Sequence, residues 1–448
     1  MVIRPHTPQK SRFSPTNSAA FATVPAVDSA RLHQNRGGLG TITKSCSIVD
    51  LKEKIYDKDK AREYRKSTTQ LKERAGEILY VPNQKKQHRV CACGKCRIDG
   101  TAPVSVRYNA TKEMASYSNL QWCGSVWLCP DCSYRITQER KKELSDAMKA
   151  CRDKRLHVSM LTLTVPHYLG DDLRTLLKKM SKAKHALWTN RNSSGYFAEN
   201  FPMVGHITAT EVKYSDNNGW HPHYHILIFS EKRYSDEDLP LIQDDLYDLW
   251  AEKCVKAGLG KPSKAHGLNL KIGSKDEILA DYISKWGLAE EMTQAHQKIG
   301  KKNRQSLTPW EILDLSRMEA STKDKYGHLF SVYASAFKGR RQLFWSKGLK
   351  ELLKVADKSD EQLANEHTQD EPQDEVFEDM ISLSEQDWWA ICFHRLRVEF
   401  LELVETDIKA NGINTDFKAI KELLWNLKYP SDPLGSFGVE GCPLTHDL

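Results

Sequence analysis

The chain has 448 residues, 28% of them charged and 40% hydrophobic, with a formal net charge of +7. That length buries at least one large core and suits more than one folded unit, and the positive balance fits a polyanionic partner without requiring one. No run of 18 apolar residues occurs, so neither a membrane-spanning helix nor a membrane partner is expected.

Residues 1–88 read as a basic, partly disordered N-terminal region. The first 27 lack acidic residues and are rich in Ser, Thr, Pro and basic side chains, with no apolar core of the kind a secretory signal needs. From Asp50 to Ala75 charged residues dominate over a weak helical pattern. That stretch reads as a solvated connector or an extra DNA contact.

Residues 89–150 are the cysteine-rich segment. Of the 11 cysteines, Cys91, Cys93, Cys96, Cys123, Cys129 and Cys132 fall here. The Cys-x-x-Cys pairs Cys93/Cys96 and Cys129/Cys132 have the local geometry for a structural zinc, with Cys91 or Cys123 as possible substitutes. Disulfides are less favoured, because a chain of this size does not need covalent staples. The helix expected from Tyr134 to Ala150 carries Arg135 and Arg140, candidates for DNA phosphates. A solvated basic face is the competing reading of each.

Residues 151–300 are expected to form the catalytic core. Leu161-Thr162-Leu163-Thr164-Val165 alternates as a half-buried strand ended by Pro166. Asp171–Trp188 and Ser235–Lys256 have helical apolar spacing, and His266–Ile272 reads as a further strand. Val204–Tyr214 and Gly219–Phe229 flank the turn residues Asp216-Asn217-Asn218 and are predicted to form a hairpin. Within its second arm, His223 and His225 are two apart and so share one face, while Tyr224 faces away. Glu211 on the first arm is placed to complete a two-His, one-carboxylate set, whose mixed N/O donors suit Mg or Mn and also accept Zn. Strands interleaved with helices around an antiparallel hairpin predict an α+β fold with flanking helices. Ile278 to Trp286 has helical spacing that puts Tyr282 and Lys285 on one side.

Taken in chain order, the Thr-Leu-Thr strand, the block Gly219-Trp220-His221-Pro222-His223-Tyr224-His225, the Tyr-x-x-Lys of Tyr282 and Lys285, Thr308–Leu313 and Lys338–Leu349 resemble the plasmid rolling-circle replication initiators of the His-hydrophobic-His endonuclease superfamily. Trp127-Leu128-Cys129-Pro130-Asp131-Cys132 also fits their cysteine-rich pattern, and the likeness runs from about Cys91 to Leu353. The resemblance implies a central antiparallel sheet bearing the two histidines, a bacterial cytoplasmic setting, and nicking of single-stranded origin DNA, at a hairpin or an unpaired site. Tyr282 is then the nucleophile that forms a 5′-phosphotyrosine link and frees a 3′-OH for polymerase, with rejoining of the displaced strand later. Lys285 offsets negative charge beside the phosphotyrosine, and His223, His225 and Glu211 hold Mn or Mg. Related initiators often place a glutamate one helical turn before the tyrosine; here that position is Ile278. A transposase or relaxase of a mobile element, or a zinc-bearing DNA-binding regulator without catalysis, are the competing functions.

Residues 301–356 read as a helical extension in which Lys338, Arg340 and Arg341 lie among Phe337, Phe344 and Trp345, a pattern suited to single-stranded DNA. Residues 357–385 read as an acidic linker, and 386–448 as a small helical appendage with a host helicase as a conjectured partner.

Overall fold

Antiparallel pairing organises the protein, in a computed structural model that describes residues 57–279, 306–318, 320–366 and 377–429. The larger sheet has the order β6-β3-β5-β4-β7. Its strands are β3 (His157–Thr164), β4 (Gly205–Ser215), β5 (Gly219–Ser230), β6 (Leu268–Ile272) and β7 (Leu343–Trp345). Every neighbouring pair is antiparallel, so the fold is α+β, with helices segregated onto the sheet faces.

The period of two along β5 separates two cores. Tyr224, Ile226 and Ile228 pack with Leu161 and Leu163 of β3 against Leu176 and Met180 of α3 (Leu173–Thr189) and Leu246 and Trp250 of α5 (Leu239–Lys256). The short α4 (Arg191–Glu199) follows α3. On the other face, Leu227 and Phe229 join Met160, Ile207 and Ala209 against Leu144, Ala147 and Met148 of α2 (Pro130–Asp153). Nearer the hairpin tip, that second face changes from apolar to imidazole: His225, His223 and His221.

The tip itself depends on Gly219. Its φ is +75°, and a Cβ there would lie 2.9 Å from the carbonyl oxygen of Tyr168. Only glycine meets both the backbone conformation and that close approach without strain. Helix starts are capped as the sequence chemistry demands: Asp172 accepts from Thr175 N at 2.8 Å before α3, and Thr308 forms a capping box with Glu311 before α6 (Pro309–Leu315).

A third core joins α1 (Lys58–Leu79), the cysteine segment, α6 and α7 (Ala320–Phe337), through Leu71, Val126, Trp310 and Phe330. The chain continues through α8 (Leu349–Leu353) and α9 (Asp360–Glu366). The smaller sheet, β2-β1-β8, combines β1 (Val104–Asn109) and β2 (Met114–Tyr117) with β8 (Phe377–Leu383). Helices α10 (Glu385–Phe393), α11 (Arg397–Asn411) and α12 (Lys418–Lys428) cover it, and Val104, Val106, Trp388, Phe400 and Val404 fill the core.

Two sequence expectations take a different form. The stretch read as an acidic linker holds α9 near its start and β8 at its end, paired with β1 from Val104↔Leu383 to Asn109↔Phe377. Its carboxylates sit on exposed positions of a strand whose Leu383 is buried, so acidic composition masked a real β edge. The C-terminal helices share a core with residues of the cysteine-rich segment, because β1 and β2 supply the apolar face they cover.

Candidate metal and nucleic-acid site

The β3–β5–β4 register brings three metal-competent side chains together. Glu211 is the ladder partner of His223, and Thr162 is the partner of His225. One donor atom from each of Glu211, His223 and His225 lies within 4.8 Å of the others. The spacing is close to what an ion with donor distances of roughly 2.1 Å spans. His225 Nε2–H donates to Glu211 Oε2 at 2.7 Å, which leaves its Nδ1 to accept from the Thr162 hydroxyl at 3.2 Å. The Glu211 carboxylate, which can only accept, sets that tautomer, while Thr162 holds the ring orientation; with a cation on Nε2 the Nδ1–H would instead donate to the Thr162 hydroxyl. Lys213 pairs with the other Glu211 oxygen at 2.9 Å.

The electrostatics favour a cation. Burial raises the Glu211 pKa, but the hydrogen bond from His225 and the charge of Lys213 outweigh it and hold the carboxyl at about 2. Burial and the neighbouring His221 push His223 down to about 3, so its imidazole is available as a neutral ligand. His223 Nδ1 is buried without a hydrogen-bond partner among the described residues. An orphaned nitrogen beside an ionised carboxylate and a second imidazole fits a divalent ion. The three residues of the expected two-His, one-carboxylate set are thus brought together as a group that could hold a metal ion.

Sequence reasoning did not anticipate the extension of this array. His221 packs on His223 with ring centroids 4.0 Å apart, and His167, just past β3, stacks on His221 at 4.1 Å. The spacing of His221 was visible in the same alternation, whereas His167 is brought in by the β3–β5 pairing. Tyr282 and Lys285 lie outside the described residues. Residues 275–279, which precede them in the sequence, are helical. Ile278, which precedes Tyr282 in the sequence, is 3% exposed and packs in the core. Glu277 caps that helix through Ser274, and Asp276 faces Arg152 at 3.2 Å.

The second cluster is made of thiols. Cys93, Cys123, Cys129 and Cys132 converge, with sulfur separations of 3.5 Å for Cys93–Cys129 and 3.6 Å for both Cys93–Cys132 and Cys123–Cys132. Four sulfurs at Zn–S of about 2.3 Å in a tetrahedron are about 3.8 Å apart, so the group suits zinc. Cys96 and Cys91 are not in it. The first knuckle contributes only Cys93, and Cys123, previously the substitute, takes the fourth place. Hydrogen bonds from the other three thiols pull Cys93 well down, whereas burial pushes Cys129 up. Lys72, 5% exposed, pairs with Asp131 beside the cluster and supplies positive charge next to the sulfurs.

The expected DNA contacts divide. Arg140 is buried and bound to Glu143 at 2.7 Å, Asp360 at 2.8 Å and the Lys358 carbonyl at 3.0 Å. It ties α2 to α9, its guanidinium engaged, on the wall of the cleft that Lys338, Arg340 and Arg341 also line. Arg135 stacks its guanidinium over Trp122, 3.8 Å from the ring centroid. Lys338, Arg340 and Arg341 line a cleft of about 930 Å³ with Trp127, Phe337 and Trp345. Among the described residues no helix is long and apolar enough to cross a membrane.

The sequence profile of the replication protein family matches residues 115–390, a span that contains Glu211, His223, His225 and Tyr282. Protein rep of Streptomyces lividans is 24% identical over 293 residues, covering 52% of this chain and 64% of that protein. A neomycin resistance protein of Streptomyces cyanogenus is 25% identical over 129 residues, covering 24% of this chain and 30% of that protein. The chain thus spans less than two thirds of either relative. No solved structure matches it. With the family profile covering more than half of its length, the chain belongs to the replication protein (Rep) family.

Proposed function

We propose that the chain is a plasmid rolling-circle replication initiator, a site-specific endonuclease and strand transferase acting on single-stranded origin DNA. The observation that carries this reading is the convergence of Glu211, His223 and His225 on adjoining strands, inside the span matched by the replication protein family. The cleft lined by Lys338, Arg340 and Arg341 supports a nucleic-acid partner.

In this reading the Tyr282 hydroxyl attacks a phosphodiester phosphorus. The Tyr–O–P bond forms, the P–O3′ bond breaks, and the 3′ oxygen leaves and takes a proton. A phenol with a pKa near 10 is a weak nucleophile at neutral pH. A bound divalent cation, Mn or Mg, would polarise the scissile phosphate. Glu211, His223 and His225 would hold that cation, Thr162 orients His225, and Lys285 offsets charge beside the new phosphotyrosine. Zinc at the four cysteines serves structure. Strand rejoining requires a second cleavage; Ile278 excludes that position from activating water, and Glu277 and Asp276 are already engaged.

The test is cleavage of labelled single-stranded origin-region DNA with added Mn or Mg. Wild type nicks and His223→Ala does not, although both bind the strand. Equal nicking by both removes the trio from catalysis.

A further inference from the structure

The face of the large sheet opposite the carboxylate–imidazole trio carries a second polar cluster. Lys184 of α3 reaches over it, with Nζ 4.8 Å from the Tyr224 ring centroid and 5.0 Å from that of Phe344. Phe344 pairs with Thr208 across β7–β4, and Thr208 pairs with Ile226 across β4–β5. His206, Thr208, Tyr224 and Phe344 therefore share that face. His206 and Thr208 are 7% and 3% exposed, and His206 Nε2 and Thr208 Oγ1 are both buried without a hydrogen-bond partner among the described residues. Trp188 stacks on His206 at 4.7 Å.

Among the described residues the charge here is uncompensated. Arg340 is close enough to depress Lys184, after burial, and to act on Tyr224 as well. Neither Lys184 nor Arg340 has a carboxylate partner among the described residues. Two orphaned polar atoms and a half-buried amine without a counter-charge cost free energy in the free protein. An anion with several acceptor oxygens removes that cost. Beside the cluster Phe344 is 48% exposed, an aromatic face open to a stacking ring.

We propose that Lys184, Arg340, His206 and Thr208, with Phe344 beside them, form a nucleotide-phosphate seat on the β4–β7 edge, taken by a backbone phosphate of single-stranded DNA whose base stacks on Phe344. The seat deepens the initiator reading and rests on it for the identity of the strand. It would hold DNA at the open β7 edge of the sheet, where Phe344 is exposed, next to the cleft that Arg340 also lines.

The test measures binding of labelled single-stranded DNA to the full chain without divalent metal, so that no strand is cut, over a range of salt. Lys184→Met keeps the aliphatic stem over both rings and removes the charge. It is expected to weaken binding about tenfold and to reduce the salt slope by about 0.7, the value for one single-strand phosphate. Lys184→Arg restores both. Phe344→Leu, at a half-exposed position, is expected to weaken binding about tenfold with the slope unchanged, and it reports on the seat even if Lys184→Met fails to fold. Competition by inorganic phosphate or dAMP that Lys184→Met abolishes would assign the seat to a free phosphate ligand. Unchanged affinity and slope in folded variants, without such competition, overturn it. A chain that nicks normally while Lys184→Met binds like wild type loses the seat alone; one that binds through Lys184 yet never nicks loses the endonuclease alone.

Discussion

Glu211 lies directly across the ladder from His223, yet its carboxylate bonds diagonally to His225, 2.7 Å away. Diagonal neighbours on one sheet face are within reach of long side chains, so one carboxylate serves both imidazoles. The arrangement depends on Thr162, whose hydroxyl holds the far nitrogen of His225.

Thr162→Val removes that hydroxyl while keeping the β-branched shape of the strand. Outer-shell partners of metal-bound histidine are worth about 10–100-fold in metal affinity. Calorimetric titration with Mn should show a loss of that size with an unchanged melting temperature. Wild-type affinity in the variant would mean that Thr162 does not orient the ligand.

Cys123→Ser and Cys96→Ser separate two zinc sets. Cys123 is one of the four converging sulfurs and Cys96 is not. Elemental analysis should find zinc retained in Cys96→Ser and lost in Cys123→Ser, with a destabilisation on the order of several kcal/mol in the latter. The opposite pattern would restore the paired-knuckle set.

Gly219→Ala places a Cβ where the backbone has φ +75° and the Tyr168 oxygen is 2.9 Å away. A loss of about 1–3 kcal/mol is expected from the strained conformation, read as a lower urea midpoint. An unchanged midpoint would show that the hairpin tip relaxes freely.

Burial, and then Lys184, hold His206 at about 4, below the ordinary 6.5. A depressed histidine stays neutral in the fold while the unfolded chain takes up a proton, so stability is full above pH 6.5 and falls as pH drops towards 4. At pH 5.5 the loss is about 1.4 kcal/mol. Urea unfolding between pH 7 and 5.5 should show a shallower dependence in His206→Phe than in wild type. Identical slopes would place the proton uptake elsewhere.

Much of the candidate site was legible because period two is rigid: once Gly219–Phe229 is a strand, His223 and His225 must share a face, and the turn residues before it set Glu211 opposite. The zinc set was less legible. Adjacent Cys-x-x-Cys pairs suggest their own closure, whereas the choice of Cys123 over Cys96 depends on a chain reversal through β1 and β2. Arg140 shows a similar limit. Its i+3 partner Glu143 is visible locally, but Asp360 reaches it only through the packing of α9 on α2. The acidic stretch near β8 misled because composition reports hydration, while strand identity there comes from pairing with β1. The Lys184 cluster left no motif, since α3, β4 and β7 contribute its members separately.

The most direct measurement is to incubate the full chain with labelled single-stranded origin-region DNA and Mn, separate the products under denaturing conditions, and map any protein–DNA adduct to its peptide. The account predicts a covalent species that requires the metal, disappears in Tyr282→Phe and in His223→Ala, and carries the nucleotide on Tyr282. An adduct that persists in Tyr282→Phe, or tight binding with no adduct on any candidate strand, would contradict it.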